Sequence, residues 1–162
     1  YCADDEKDHQ NNTPLHIAAS NLNLDACEML LAMEVEVDVH AVNSSGMNAL
    51  CLLASARDVH KVSRQGDRYL EVLNQCSELG AGIDCRTPDG DSALHLAVLH
   101  NNLPGIYYLL DHGAFIDSTN LQLQTPLYLS VHKRYWHIAE VLLKHDADPT
   151  IQNSKKSSAV SL

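Results

Sequence analysis

Ten histidines and five cysteines are the residues of this 162-residue chain best suited to metal or nucleophile chemistry. His95 with His100, and His132 with His137, are each five positions apart. Five steps at about 100° per residue set two side chains roughly 140° apart around a helix, whereas chelation from one helix face needs a four-residue step. The cysteines (2, 27, 51, 76, 85) are odd in number and contain no C-x-x-C pair. That spacing suits neither a disulfide framework nor a zinc knuckle, and reduced thiols are the simplest reading. No phosphate loop, dinucleotide fingerprint, H-E-x-x-H or G-x-S-x-G element is present. The expectation is therefore no catalytic residue, no metal and no cofactor.

Composition narrows the function classes further. The formal net charge is −10. An acidic surface repels phosphate, so nucleic acid is not expected as a direct partner, and a protein or peptide fits better. No apolar run approaches the roughly 18–20 residues of a membrane helix. The first residues, Tyr1 to Glu6, have neither the basic nor the apolar region of a signal peptide. A cytoplasmic or nuclear location is expected, and the two N-x-S/T triplets, at Asn11 and Asn43, are not expected to be glycosylated.

What positions these residues is a phrase that returns. Thr13-Pro14-Leu15-His16, Asn48-Ala49-Leu50-Cys51, Ser92-Ala93-Leu94-His95 and Thr125-Pro126-Leu127-Tyr128 share one pattern, and Ser158-Ala159-Val160-Ser161 begins a fifth copy. The intervals from 92 to 125 and from 125 to 158 are both 33 residues. A fixed period in that range marks a solenoid, in which stacked repeats bury what one repeat cannot. Leu15, Leu50, Leu94 and Leu127 share one slot. Leu30-Leu31, Leu109-Leu110 and Leu142-Leu143 share another, where Leu110 is expected to be buried. Apolar residues recur at three- and four-residue steps, as in two short amphipathic helices per repeat. Thr13 and Thr125 sit where a helix N-cap belongs, with Pro14 and Pro126 at the first helical position.

These phrases, with Gly80-Ala81-Gly82-Ile83-Asp84 and Gly113-Ala114-Phe115-Ile116-Asp117 closing two repeats, resemble the ankyrin-repeat family. The resemblance implies an all-α ankyrin-repeat solenoid of helix–turn–helix units with short β-hairpin fingers. One domain, 1–162, would hold repeats near 8–42, 43–86, 87–119 and 120–152, and a truncated fifth at 153–162. His16 and His95 fall in the family's His slot, where a hydrogen bond between neighbouring repeats is expected. Cys27, Cys51 and Cys76 fall in helix core slots, as small buried hydrophobes. Cys85 lies in a loop with nothing near it in sequence to activate it. The second repeat is longer by eleven residues, and the excess lies between its two helices, near 55–68. The fifth repeat stops inside its first helix, so the natural chain is expected to continue, and the isolated domain to be monomeric.

The resemblance implies a non-catalytic protein–protein interaction module, a scaffold or regulator that binds a partner on its concave finger and first-helix face. Carried onto this chain, the contact positions are Met47, Pro88, Asp89, Asp91, Leu99, His100, Leu121, Gln122, Gln124, His132 and Lys133. Flanking positions include Ser55 and Ala56. The inserted stretch holds Arg57, Lys61, Arg64 and Arg68, a second candidate contact for an acidic segment, or else a solvated loop. Tyr135-Trp136 opens the second helix of repeat four, as a further candidate contact or scaffolding. Residues 90–97 and 123–127 also resemble the NF-κB inhibitor proteins, which sequester transcription factors. A further alternative is the ankyrin regulatory segment of a larger enzyme or channel.

Overall fold

The computed structural model describes residues 7–33, 37–57, 59 and 66–162. Within them the helices are α1 (Pro14–Ser20), α2 (Leu24–Ala32), α3 (Ala49–Ala54), α4 (Gly66–Glu78), α5 (Ala93–Leu99), α6 (Leu103–Asp111), α7 (Pro126–His132) and α8 (Trp136–Lys144), followed by a 3-10 turn at Ala159–Ser161. They pair as α1/α2, α3/α4, α5/α6 and α7/α8, and α1, α3, α5 and α7 stack side by side. The fold is all-α. Among the described residues the fingers contribute one isolated antiparallel bridge, Arg86 to Ser92, and no continuous strand.

Each first helix begins at a short polar residue whose side chain accepts an N–H that the helix leaves unpaired. Thr13, Asn48, Ser92 and Thr125 accept from the backbone of His16, Cys51, His95 and Tyr128. Asn23 and Asn102 do the same for α2 and α6. The link between paired helices turns on one left-handed residue, Leu22, Asn101 or Arg134.

Leu15, Leu50, Leu94 and Leu127 line the middle of the stack, fully buried. From the second helices come Cys27, Leu73, Cys76, Ile106, Leu109, Ile138 and Leu142. The three cysteines expected in core slots are buried there. The double-Leu slot divides: Leu109 is 0 % exposed, whereas Leu110 is only half-buried. One position along a helix rotates a side chain by about 100°, which carries Leu110 toward the rim. The close approach of α6 to the end of α3 is made at Gly105, where a Cβ would lie 1.9 Å from the Ala54 carbonyl oxygen.

Among the described residues, the end of the second repeat's insertion is helical. α4 runs for 13 residues against nine in α2, α6 and α8, so its first turn takes up the end of the insertion. Ser55, Ala56 and Val59 are buried. Tyr69 anchors the start of α4, its hydroxyl donating to the Leu53 carbonyl at 2.8 Å while accepting from Asn102.

Two histidines tie repeat to repeat. The His16 Nε2–H donates to the Met47 carbonyl at 3.1 Å, and the His95 Nε2–H to the Gln124 carbonyl at 2.9 Å. The opposite nitrogen, Nδ1, accepts from the backbone N–H of Thr13 or Ser92 and lies against the same residue's hydroxyl. A proton on Nδ1 would face that N–H donor. Burial, the largest cause, holds both imidazoles below their ordinary pKa, opposed by the carbonyl contacts.

Two measurements follow. Leu109→Ala lowers stability by about 2–5 kcal/mol, the cost of a closed cavity, and Leu110→Ala by about half of that or less; denaturant melts of the two variants distinguish them. Because the folded pKa of His16 and His95 lies below the unfolded value, the unfolded chain binds the proton first as pH falls. The contribution of the two neutral imidazoles is full above the ordinary histidine pKa of about 6.5 and falls away as pH drops below it. A His95→Gln variant, read by the denaturant midpoint across that window, should show a shallower fall.

Candidate functional site

The fingers are five-residue turns at 8–12, 43–47, 87–91, 120–124 and 153–157. Each closes by a hydrogen bond from its first N–H to its fifth carbonyl. The fourth residue is left-handed in every one: Asn11, Gly46, Gly90, Leu123 and Lys156. The first side chain braces the turn from inside. Asp8, Asn43, Asn120 and Asn153 each accept from the third and fifth backbone N–H groups. Thr87 accepts only from the fifth, Asp91.

Neighbouring fingers are linked by a second set of bonds. The second residue of one finger donates its N–H to the third carbonyl of the finger before it: Ser44 to Gln10 at 2.8 Å, Leu121 to Asp89 at 3.0 Å and Ser154 to Gln122 at 2.9 Å. A side-chain rung runs beside it, from Asn43 to Asn12 and from Asn120 to Asp91. Both rungs are missing between the second and third fingers. Pro88 occupies the donor position and has no N–H, while Thr87 and Met47 replace the amide and its acceptor. The histidine tie is missing there too, because Cys51 holds the His slot. The junction is held at its helix end, where Asn102 Nδ2 donates to the Ala54 carbonyl, Tyr108 to the Leu73 carbonyl, and the His100 imidazole meets the Ser55 carbonyl. At its finger end it closes by contact: a Cβ on Gly46 would lie 2.2 Å from the Arg86 carbonyl oxygen.

Of the residues expected to meet a partner, Pro88, Asp89, Leu121 and Gln122 are exposed on fingers three and four, and His132 and Lys133 at the end of α7. Asp91, Leu99, His100 and Gln124 are half-buried. Asp91 is engaged by Asn120, the Gln124 carbonyl by His95, and Leu99 packs on the core. Met47 is a correction: it is 1 % exposed. In the other fingers the same position carries Asn12, Asp91, Gln124 and Ser157. An apolar side chain there turns into the stack, and only its carbonyl is used, by His16. Ser55 and Ala56 are buried as well and offer no contact surface.

Of the four basic residues of the insertion, one is engaged within the chain. Arg57 is exposed, but Arg68 faces α2, with Nη2 at 2.7 Å from Asp25 and 2.6 Å from Glu28, and Nε at 3.0 Å from Glu28. It ties α4 to α2 through carboxylates of this chain and is not a free cation for a partner. Lys61 and Arg64 lie outside the described residues.

Sequence reasoning passed over Leu123. It is 50 % exposed on the fourth finger, beside Leu121 at 71 %. Two leucines within a five-residue polar turn were the available signal. On the opposite face Trp136 is 62 % exposed, so it is not buried scaffolding. Among the described residues no cluster of His, Cys, Asp or Glu could hold a metal ion, and no helix is long and apolar enough to cross a membrane.

A family profile of three ankyrin-repeat copies matches residues 59–153, and a single ankyrin repeat matches residues 10–44. The palmitoyltransferase ZDHHC13 of Mus musculus is 32% identical over 109 residues, 65% of this chain and 17% of that protein. The nuclear factor NF-kappa-B p105 subunit of Gallus gallus is 28% identical over 151 residues, 90% of this chain and 14% of that protein. The E3 ubiquitin-protein ligase KEG of Arabidopsis thaliana is 27% identical over 153 residues, 91% of this chain and 9% of that protein. The chain spans less than a fifth of the length of these curated relatives. The three-copy profile covers more than half of the chain, and the stacked helix pairs agree with it: this chain belongs to the ankyrin-repeat family, whose repeats are generally non-catalytic protein–protein interaction modules.

Proposed function

We propose that this domain binds a partner protein or peptide across its fingers and first helices, centred on fingers three and four. The observation that carries this reading is the pair Leu121 and Leu123, held out into solvent on one braced turn beside the exposed carboxylate of Asp89. Exposed apolar side chains set in a polar rim match the make-up of a protein-binding surface. Asn120 fixes the turn from inside, and Leu121 and Gln122 link it to the fingers on either side. A surface already ordered in this way loses little conformational entropy on binding. The partner segment would present an apolar side chain toward Leu121 and a basic group toward Asp89.

A second reading, the regulatory segment of a larger protein, is favoured by the small share of each relative that the chain covers. The two are compatible: the segment would act by binding, in cis or in trans. Sequestration of a transcription factor, in the manner of the NF-κB inhibitors, is one form of the same reading.

A partner identified by cross-linking in cells should bind an Asp89→Lys/Leu121→Ser variant at least tenfold more weakly by calorimetry, with the melting temperature unchanged. A Tyr107→Ser variant, altered at an exposed position on the second-helix side, should bind as the wild type does. The reverse pattern would place the working surface on the second helices.

A further inference from the structure

On the second-helix side of the stack, α4 and α6 leave an open groove of about 480 Å³ between them. Leu70 and Asn74 of α4 form one wall, and Leu103, Pro104, Tyr107 and Asp111 of α6 the other. Leu70 is 40 % exposed and Tyr107 41 %. The buried Tyr108 ties the walls together, its hydroxyl donating to the Leu73 carbonyl at 3.0 Å. Each wall is also fixed to α3, α4 by Tyr69 at the Leu53 carbonyl and α6 by Asn102 at the Ala54 carbonyl. The groove is thus preformed, and little ordering entropy opposes an occupant.

The charge along these walls is of one sign. At three- and four-residue steps, Asp67, Leu70, Asn74 and Glu78 fall on one stripe of α4, and Leu103, Tyr107 and Asp111 on one stripe of α6. Asp67, Glu78 and Asp111 are exposed. Glu78 and Asp111 are also the last residues of their helices. Unpaired carbonyls make the potential at a helix C-terminus negative, so a carboxylate is unfavourable there and a cation favourable. In α8 the same position is Lys144, a cation. Among the described residues no Lys or Arg forms an ion pair with Glu78 or Asp111.

We propose that this groove is a second docking surface, separate from the fingers, and that it takes a basic amphipathic helix of another protein. Apolar side chains of that helix lie on Leu70, Leu103 and Tyr107, the mode in which a helix seats its apolar stripe in a groove. A Lys or Arg beside them meets Asp111 and Glu78, where it complements both the carboxylates and the carbonyls of the two helix ends. A second copy of this chain does not supply that charge. The Lys and Arg residues of its described helices are Arg68 and Lys144, and both are bonded to carboxylates of their own chain.

The experiment titrates the full chain by calorimetry with a designed helical peptide of Ala, Leu and Lys, its leucines recurring at every third and fourth position. The expected result is one-to-one binding that weakens as salt rises. A Tyr107→Ser/Asp111→Lys variant should bind at least tenfold more weakly with its melting temperature unchanged. Asp111→Lys alone, a change at an exposed position, should already weaken binding severalfold. The finger variant Asp89→Lys/Leu121→Ser should bind the peptide as the wild type does, so this surface and the finger face are tested independently. In the complex, amide exchange should slow in α4 and α6 and stay unchanged at 87–91 and 120–124. A peptide with Glu in place of Lys, and one of the same composition in scrambled order, should not bind. Absence of binding by the lysine peptide would overturn the proposal. So would equal binding of either control peptide, or a loss of binding in the finger variant and not in the groove variants.

Discussion

The hydrogen bond from a buried imidazole to the backbone of the next repeat is the interaction on which the arrangement turns. His16 and His95 each complete the start of their own helix through Nδ1 and reach the next finger through Nε2. One side chain thus couples a local event, helix capping, to a long-range one, stacking. The bond has a direction that only one neutral tautomer satisfies, and burial keeps the ring neutral. Where it is present, the next finger is placed by the start of the helix beneath it. Where Cys51 replaces it, the following junction is reorganised.

That reorganisation is coordinated across several residues. Between repeats two and three the finger layer has neither the backbone rung, because Pro88 cannot donate, nor the amide rung, because Met47 and Thr87 cannot make it. The polar ties at this junction lie on the helix side instead, at Asn102, His100, Tyr69 and Tyr108. The insertion makes this possible: it extends α4 by a turn and brings Tyr69 under the end of α3. Arg68, on the same added turn, holds α4 to α2. Arg68 and Tyr69, in the first turn of α4, therefore act on both junctions of the second repeat.

The repeat fold was legible in the sequence because it rests on local signals that recur: a capping residue, a leucine two positions later, a left-handed turn. Leu15, Leu50, Leu94 and Leu127 could be placed from register alone, and so could the two histidines. Orientation within a slot could not. Leu109 and Leu110 differ by one rotation about the helix, and the sequence does not say which one faces the core. Met47 was misread because a finger position was taken as exposed by virtue of being in a finger. Its neighbours in register are polar because that position lies against the next turn, and an apolar residue there is drawn inward. Arg68 was misread for a different reason. Its partners, Asp25 and Glu28, are some forty residues away, and a long-range ion pair leaves no mark in local spacing.

The distribution of finger bonds also divides the proposed binding face. Fingers one and two are joined by Ser44 and Gln10, and fingers three, four and five by Leu121, Asp89, Ser154 and Gln122. No N–H joins the two groups, since the donor position is a proline. The exposed Leu121, Leu123 and Asp89 all lie in the second group: Leu121 and Leu123 on finger four, bonded on both sides, and Asp89 on finger three, bonded to finger four. A turn bonded on both sides resists local opening more than one bonded on a single side, because more contacts must break together. The apolar residues stand on the most constrained part of the finger row, and the row's one discontinuity lies immediately before it. A partner confined to fingers three to five would meet a single preformed surface, while one reaching back to Ser45 would have to span a junction whose finger end is held by packing at Gly46.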